Sequence, residues 1–291
     1  MKMLGEIKIF LLLFCLPFWV NAQNIKYRNY KEGEVTRFRL TTESNEGNKI
    51  SKTVSIAELK VVPDSGYYSE EVRWLSKIRY SNDSVNLDDV AKSVSPYRIS
   101  MDPKGSVKLP KLDIPEMVGE ITDLNTFFVA ISPAFNIGKL SRTNAHISKP
   151  EIIKGNFADG KLIQKGEDCL KVSVTLLSQD AKYSTVQTQV MPPSRLCLSP
   201  LLDTIGKQTF QAPNNFQMIR KADGDFVHVL WGVESFTITT KIENKTGRIV
   251  EASMINTLTL RMRYNSSPDL QKYAAEIPVV RTRNLKLEPI K

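Results

Sequence analysis

The chain has little of what metal or catalytic motifs require. It contains only two histidines, His146 and His228, and three cysteines. A zinc site needs His and Cys ligands at short, characteristic spacings, and neither histidine has such a neighbour. No Gly-x-Ser-x-Gly elbow occurs, and no Gly-rich loop precedes a helix. These absences predict a non-enzymatic protein without a metal or cofactor, although a Ser–His–Asp site assembled from distant residues stays open.

Long apolar runs are also absent, apart from residues 9–20. This run has Lys2 and Lys8 before it and Ala22 after it, which is the pattern of a secretory signal peptide. It is shorter than the ~20 residues that a membrane-spanning helix needs. We therefore predict a signal peptide at residues 1–22, cleavage after Ala22, no transmembrane segment in the mature chain, and a periplasmic or extracellular protein.

Two cysteines, Cys169 and Cys197, lie beyond the predicted cleavage site. An oxidising compartment would allow them to pair, and closing that loop would contribute roughly 3–4 kcal/mol. Two buried free thiols are the alternative, because unpaired cysteine behaves as a small hydrophobic residue.

Acidic residues are fewer than basic ones, and the net charge is +9. Residues 1–22 carry two Lys and one Glu, so the mature chain keeps +8. Such an excess favours an anionic partner, and outside the cell a surface is a better candidate than nucleic acid. The carboxy-terminal basic residues would provide that contact: Arg261, Arg263, Lys272, Arg281, Arg283, Lys286 and Lys291.

Apolar side chains recur at every second position through most of the chain, which predicts half-buried strands. An antiparallel meander is predicted over residues 35–42, 49–62 and 67–80. Two hairpins are predicted further on, the first from residues 169–177 and 183–191, the second from residues 225–241 and 248–264. Gly232 interrupts the alternation of the last hairpin and predicts a bulge.

One stretch, residues 113–132, follows a helical period instead. Asp113 is a candidate N-cap, Pro115 suits the first turn, and Pro133 ends the helix. The apolar stripe of this helix either packs on the sheet and fills the core or faces a lipophilic cavity. Residues 192–215 hold four prolines and predict a long loop, either a lid or a segment with a short helix.

The fold class that follows is α+β and mostly antiparallel β, with a curved or barrel-like sheet packed against one long apolar helix at about 113–132. Residues 23–291 form a single strand-rich domain, or two intimate halves at about 23–160 and 161–291.

The closing hairpin contains Phe-Thr-Ile-Thr at 236–239 and Lys-Thr-Gly-Arg-Ile-Val at 245–250. With the preceding meander and the single apolar helix, this order of elements resembles secreted bacterial envelope proteins of the LolA/LppX-like half-barrel group. That resemblance implies a curved sheet that wraps helices and holds acyl chains, but it transfers no site residue.

We therefore expect a lipophilic ligand in the concavity of the sheet. The predicted lining residues are Phe128, Ile131, Phe135, Trp231 and Phe236. The alternatives are a structural or interaction protein whose basic surface contacts an anionic partner, and a hydrolase with a dispersed site.

Overall fold

A computed structural model describes most of the chain beyond the amino terminus. The described residues are 25, 27–47, 49–81, 83–107, 110, 112–135, 137–140, 144, 146–150, 163–164, 171–194, 198–199 and 212–290. The predicted signal peptide, Cys169, Cys197 and most of the 192–215 loop lie outside these residues, so export and the disulfide stay predictions.

The predicted amino-terminal meander is confirmed. Strands β1 (Val35–Glu46), β2 (Lys49–Asp64) and β3 (Tyr67–Tyr80) pair antiparallel in sequence order. Along β1 the exposed and buried side chains alternate, so every second residue faces the core. The β2–β3 turn uses positive φ at Ser65 and Gly66, which closes the hairpin in two residues.

Shorter strands and the second half of the chain extend this sheet, and both predicted hairpins form. The remaining strands are β4 (Ser84–Asn86), β5 (Tyr97–Ile99), β6 (His146–Pro150), β7 (Ile163–Gln164), β8 (Lys171–Gln179), β9 (Tyr183–Met191), β10 (Leu198–Ser199), β11 (Phe216–Lys221), β12 (Val227–Glu243), β13 (Ile249–Ser266) and β14 (Ala275–Ile290). Strands β7 and β10 pair only with each other.

The other twelve strands form one open, curved sheet with the order β4-β3-β2-β1-β14-β13-β12-β9-β8-β6. Strand β5 pairs with β3, and β11 pairs with β12. The carboxy-terminal strand β14 lies in the middle, between β1 and β13, and was not predicted from the sequence. It hydrogen-bonds to both parts, so the amino-terminal meander and the closing hairpin share one continuous sheet.

The predicted helix at 113–132 is shorter than expected. A 3₁₀ turn at Pro115–Met117 leads into α2 (Val118–Ala130), and Asp113 does not cap it. The α2 stripe is also not purely apolar, because Glu120, Asp123 and Asn125 are buried. The remaining described helices are α1 (Asp88–Ser93) and 3₁₀ turns at Pro133–Phe135 and Ile137–Lys139.

Helix α2 packs on one face of the sheet, which we call the inner face, and fills the main core. Its residues Ile121, Leu124 and Phe127 are almost completely buried. Phe38 of β1 meets Phe128 edge to face, with ring centroids 6.0 Å apart. The apolar stripe therefore packs on the sheet, which was one of the two predicted roles.

Gly232 does not mark a bulge, which corrects the prediction. It pairs directly with Leu260, and the register shifts of this hairpin lie elsewhere, at Val227/Val229 and Lys241/Ile242. A Cβ at position 232 would lie 2.4 Å from a carbonyl oxygen of β13. The position needs glycine because the two backbones approach closely, not because a residue is inserted.

Candidate ligand-binding surface

The inner face of strands β12, β13 and β14 consists of rows of side chains that lie side by side across the sheet. The row Ile238–Met254–Leu285 belongs to the main core under α2. Two residues further along, the row Phe236–Asn256–Arg283 is partly polar. The inner face therefore changes character at this point.

Beyond that row the inner face becomes apolar again. A separate buried cluster forms from Leu230, Leu258 and Leu260, and partly buried apolar residues pack against it. We call the whole set the distal patch: Phe216, Met218, Leu230, Leu258, Leu260, Met262 and Val279. Every member comes from β11, β12, β13 or β14. The three leucines are at most 9% exposed, so the accessible part of the patch is formed by its four partly buried members.

No residue of α2 belongs to the distal patch, which agrees with the lengths of these elements. Thirteen helical residues span about 20 Å. The eighteen residues of β13 span about 60 Å in an extended strand. Even aligned with the strands, α2 would cover about a third of the inner face, and the other described helices are shorter still.

A linked group of charged and polar side chains from α2 and the sheet extends from the main core to the row next to the distal patch. We call this group the polar belt: Lys77, Glu120, Asp123, Glu234, Asn256 and Arg283. Arg283 donates to both carboxylate oxygens of Asp123, with Nη1 at 3.1 Å from Oδ1. Lys77 Nζ lies 2.7 Å from Glu120 Oε2. Each of these cations thus neutralises one carboxylate of α2.

Glu234 is the carboxylate of the polar belt that has no cation of its own. Asn256 Nδ2 donates to its Oε1 over 2.8 Å, and this is its one side-chain hydrogen bond among the described residues. Burial raises the pKa of Glu234, while the Asn256 hydrogen bond and the charge of Arg283 oppose that rise. Although burial disfavours a charged guanidinium, the Asp123 carboxylate raises the pKa of Arg283.

Four of the five predicted lining residues lie in or against the main core, and Trp231 lies apart from them. Phe128, Ile131 and Phe135 are buried in the main core, and half-buried Phe236 packs against it. Trp231 lies on the opposite, outer face, because it is an odd-numbered position of β12. There it packs with Val229 and Leu270, and the Arg263 guanidinium carbon is 5.3 Å from its ring centroid.

Two of these residues, Phe128 and Ile131, line a small pocket beside Arg28 and Glu70. Its volume is about 10 Å³, so it has room for about one water molecule rather than an acyl chain. Burial raises the pKa of Glu70, while Arg28, whose Nε lies 3.4 Å from Oε1, opposes that rise. The buried Oε2 of Glu70 has no hydrogen-bond partner within the described part of the chain.

The distal patch itself was missed at the sequence level. The alternation along β12 and β13 placed its leucines and methionines on one face, but the same pattern describes residues under a helix. The length of the helix relative to the strands was the signal that could have identified the patch.

The two histidines, which a dispersed hydrolase site or a metal site would use, lie on different strands, β6 and β12. His228 Nδ1 accepts a hydrogen bond from the backbone N–H of Asn265 at 3.2 Å, and its ring packs against Tyr264. His146 lies on β6, and its side chain is outside the described part. Among the described residues no group of three or more His, Cys, Asp and Glu side chains could hold a metal ion, and no helix is long and apolar enough to cross a membrane.

The carboxy-terminal basic residues are largely paired with acidic ones. Arg261 and Arg263 both contact Glu276, at 2.9 and 2.6 Å. Lys286 lies 2.8 Å from Glu288, and Arg281 binds Glu46. With Arg283 bound to Asp123, five of the seven predicted basic residues have an acidic partner, and two of these five share one carboxylate.

Comparison with known proteins finds little. No protein-family model and no curated protein matches the chain. A solved structure described as "lipid-protein interactions in lipovitellin" is similar over 90% of this chain, with a TM-score of 0.34 and 10% sequence identity. The chain spans about a quarter of the length of that lipovitellin chain, because the match covers 26% of it.

Proposed function

We propose that this protein is an exported, non-enzymatic binding protein that holds a lipophilic ligand against the distal patch. One observation supports the proposal above all. The inner face of the sheet carries a second apolar cluster, separate from the main core, and none of its described members comes from a helix. Export rests on the pattern of residues 1–22.

The composition of the distal patch favours an aliphatic ligand. Leucine, methionine and valine dominate it, and Phe216 is its only aromatic residue. Methionine side chains adapt to irregular apolar shapes. Each methylene group removed from water contributes about 0.8 kcal/mol, so two additional methylene groups should tighten binding roughly tenfold.

The alternative of a basic surface for an anionic partner has less support. Five of the seven cations on which it depended lie in strands β13 and β14 and face carboxylates. The distal patch, in contrast, is a contiguous cluster of one chemical type, with four partly buried members beside its buried leucines.

The experiment is a titration of residues 23–291 with the neutral fluorescent probe N-phenyl-1-naphthylamine. Met262→Gln puts a polar group into the patch at a half-buried position. Ile255→Gln is the matched control, because Ile255 is on the outer face of the same strand and is 58% exposed.

We expect the unsubstituted protein to bind the probe and Met262→Gln to bind it at least tenfold more weakly. Ile255→Gln should bind like the unsubstituted protein. A protein that does not bind the probe, or equal binding by the two variants, would refute the proposed function.

A further inference from the structure

Within the part of the chain that the structure describes, one carboxylate of the polar belt lacks a cation. Lys77 pairs with Glu120, Arg283 with Asp123, and Arg281 with Glu46. Among the described residues Glu234 forms no ion pair, and Asn256, a neutral amide, is its side-chain partner. If every group is ionised, the polar belt contains three carboxylates and two cations, and its net charge is −1.

Glu234 is placed where the polar belt meets the distal patch. It is directly opposite Leu258 of β13, with Gly232 and Leu230 following on the same face. Its backbone is fixed by Asn215, which donates to the Glu234 carbonyl oxygen at 2.8 Å and accepts from its N–H at 2.7 Å. The side chain is half-buried, so it can still meet a group that comes from outside.

A ligand on the distal patch would therefore have one end beside Glu234. Positions 234 and 230 are four steps apart along the strand, which is about 13 Å. An aliphatic chain of that length would cross the rows of Leu260 and Met262. A partly desolvated carboxylate with a single hydrogen bond is stabilised most by a cationic donor.

We propose that the ligand is a single-chain amphiphile with a cationic amino head group, and that Glu234 binds this ammonium. The inference rests on the proposed function of the distal patch. A carboxylate head group would instead add a second negative charge beside Glu234, with no described free cation to balance it.

The test compares three amphiphiles with the same chain: dodecylammonium, dodecanol and dodecanoate. Each displaces N-phenyl-1-naphthylamine from residues 23–291 at pH 7, below its micellar concentration. We expect dodecylammonium to bind at least tenfold more tightly than dodecanoate, with dodecanol between them.

Glu234→Gln keeps the size of the side chain and removes its charge. This variant should lose about tenfold in affinity for dodecylammonium and keep its affinity for dodecanol. Glu251→Gln is the matched control, since Glu251 is an exposed carboxylate on the outer face of β13, and it should change neither affinity.

The outcomes separate this inference from the proposed function. Equal affinity for dodecylammonium and dodecanoate, or an unchanged dodecylammonium affinity in Glu234→Gln, would overturn the ammonium site while dodecanol binding would keep the proposed function. Failure of all three amphiphiles to bind would overturn both.

Discussion

The pair Asp123–Arg283 connects α2 to the central strand β14, and its removal should be costly. Asp123→Ala leaves the Arg283 guanidinium without its carboxylate. The two side chains are 8% and 20% exposed, so water replaces the lost contact poorly. Removing one partner of a buried pair costs about 3–5 kcal/mol, and the partial exposure of Arg283 places the expected loss near about 3 kcal/mol.

The matched comparison is an ion pair on the surface of the same sheet. Arg39 Nη1 lies 3.2 Å from Glu288 Oε1, and these side chains are 45% and 30% exposed. Glu288→Ala removes this pair and the exposed Lys286–Glu288 pair, and should still cost less than about 1 kcal/mol because water screens such pairs. The double variant Asp123→Leu with Arg283→Met replaces the buried charges with apolar groups of similar size and should recover most of the stability.

The assay is equilibrium unfolding in urea, followed by tryptophan fluorescence. Trp74 is buried in the main core, so its emission reports loss of the packing between α2 and the sheet. The reasoning would be refuted if Asp123→Ala cost no more than Glu288→Ala. A double variant as unstable as the sum of its single substitutions would refute it equally.

Three further perturbations test other parts of the fold. Gly232→Ala should lose about 2–3 kcal/mol because its Cβ would meet the β13 backbone, whereas Gly119→Ala, in an open part of α2, should gain about 0.5–1 kcal/mol; urea midpoints compare them. Phe127→Ala should lose about 3–5 kcal/mol of stability, and exposed Ile255→Ala under about 0.5 kcal/mol. Thermal unfolding measures both, and equal shifts of the two midpoint temperatures would contradict the core assignment. The raised pKa of Glu70 means that the folded state binds its proton more tightly than the unfolded state, so this residue reduces stability as pH rises from about 4.5 through the raised folded-state pKa. The free energy of unfolding of Glu70→Gln minus that of the unsubstituted protein should therefore rise between pH 4 and pH 8. A difference that does not change with pH would contradict the assignment.

The strands that were predicted correctly are those whose two faces differ strongly. In β1 buried Phe38 and Leu40 alternate with exposed Arg37 and Arg39. Such alternation specifies both the strand and its inner face, because a register error would put arginine into the core.

Strand β14 escaped prediction because its inner face is not apolar throughout. Leu285 and Leu287 face the core, but Arg281 and Arg283 lie on the same face of the strand. Their counter-charges come from Glu46 and Asp123, which are distant in sequence. Pro278 and Pro289 within the strand also argue against a central position when only the sequence is considered.

The candidate site could not be located from the sequence for a related reason. Glu234 and Asn256 become neighbours only through the pairing of β12 with β13, and Asp123 joins them only when α2 docks. Aromatic side chains near the helix were the natural candidates for a lipophilic site, yet they are what fills the main core.

The polar belt also explains why the distal patch is a surface of its own rather than an extension of the main core. Ionised groups below the end of α2 must stay paired or reach water, so apolar packing cannot continue across them. An aliphatic chain lying on the distal patch would meet the same boundary and stop at Glu234. In the proposed function, the residues that end the core would also fix one end of the ligand. A change of charge at Glu234 should then alter which ligand binds, whereas a change of charge at Asp123 should alter stability.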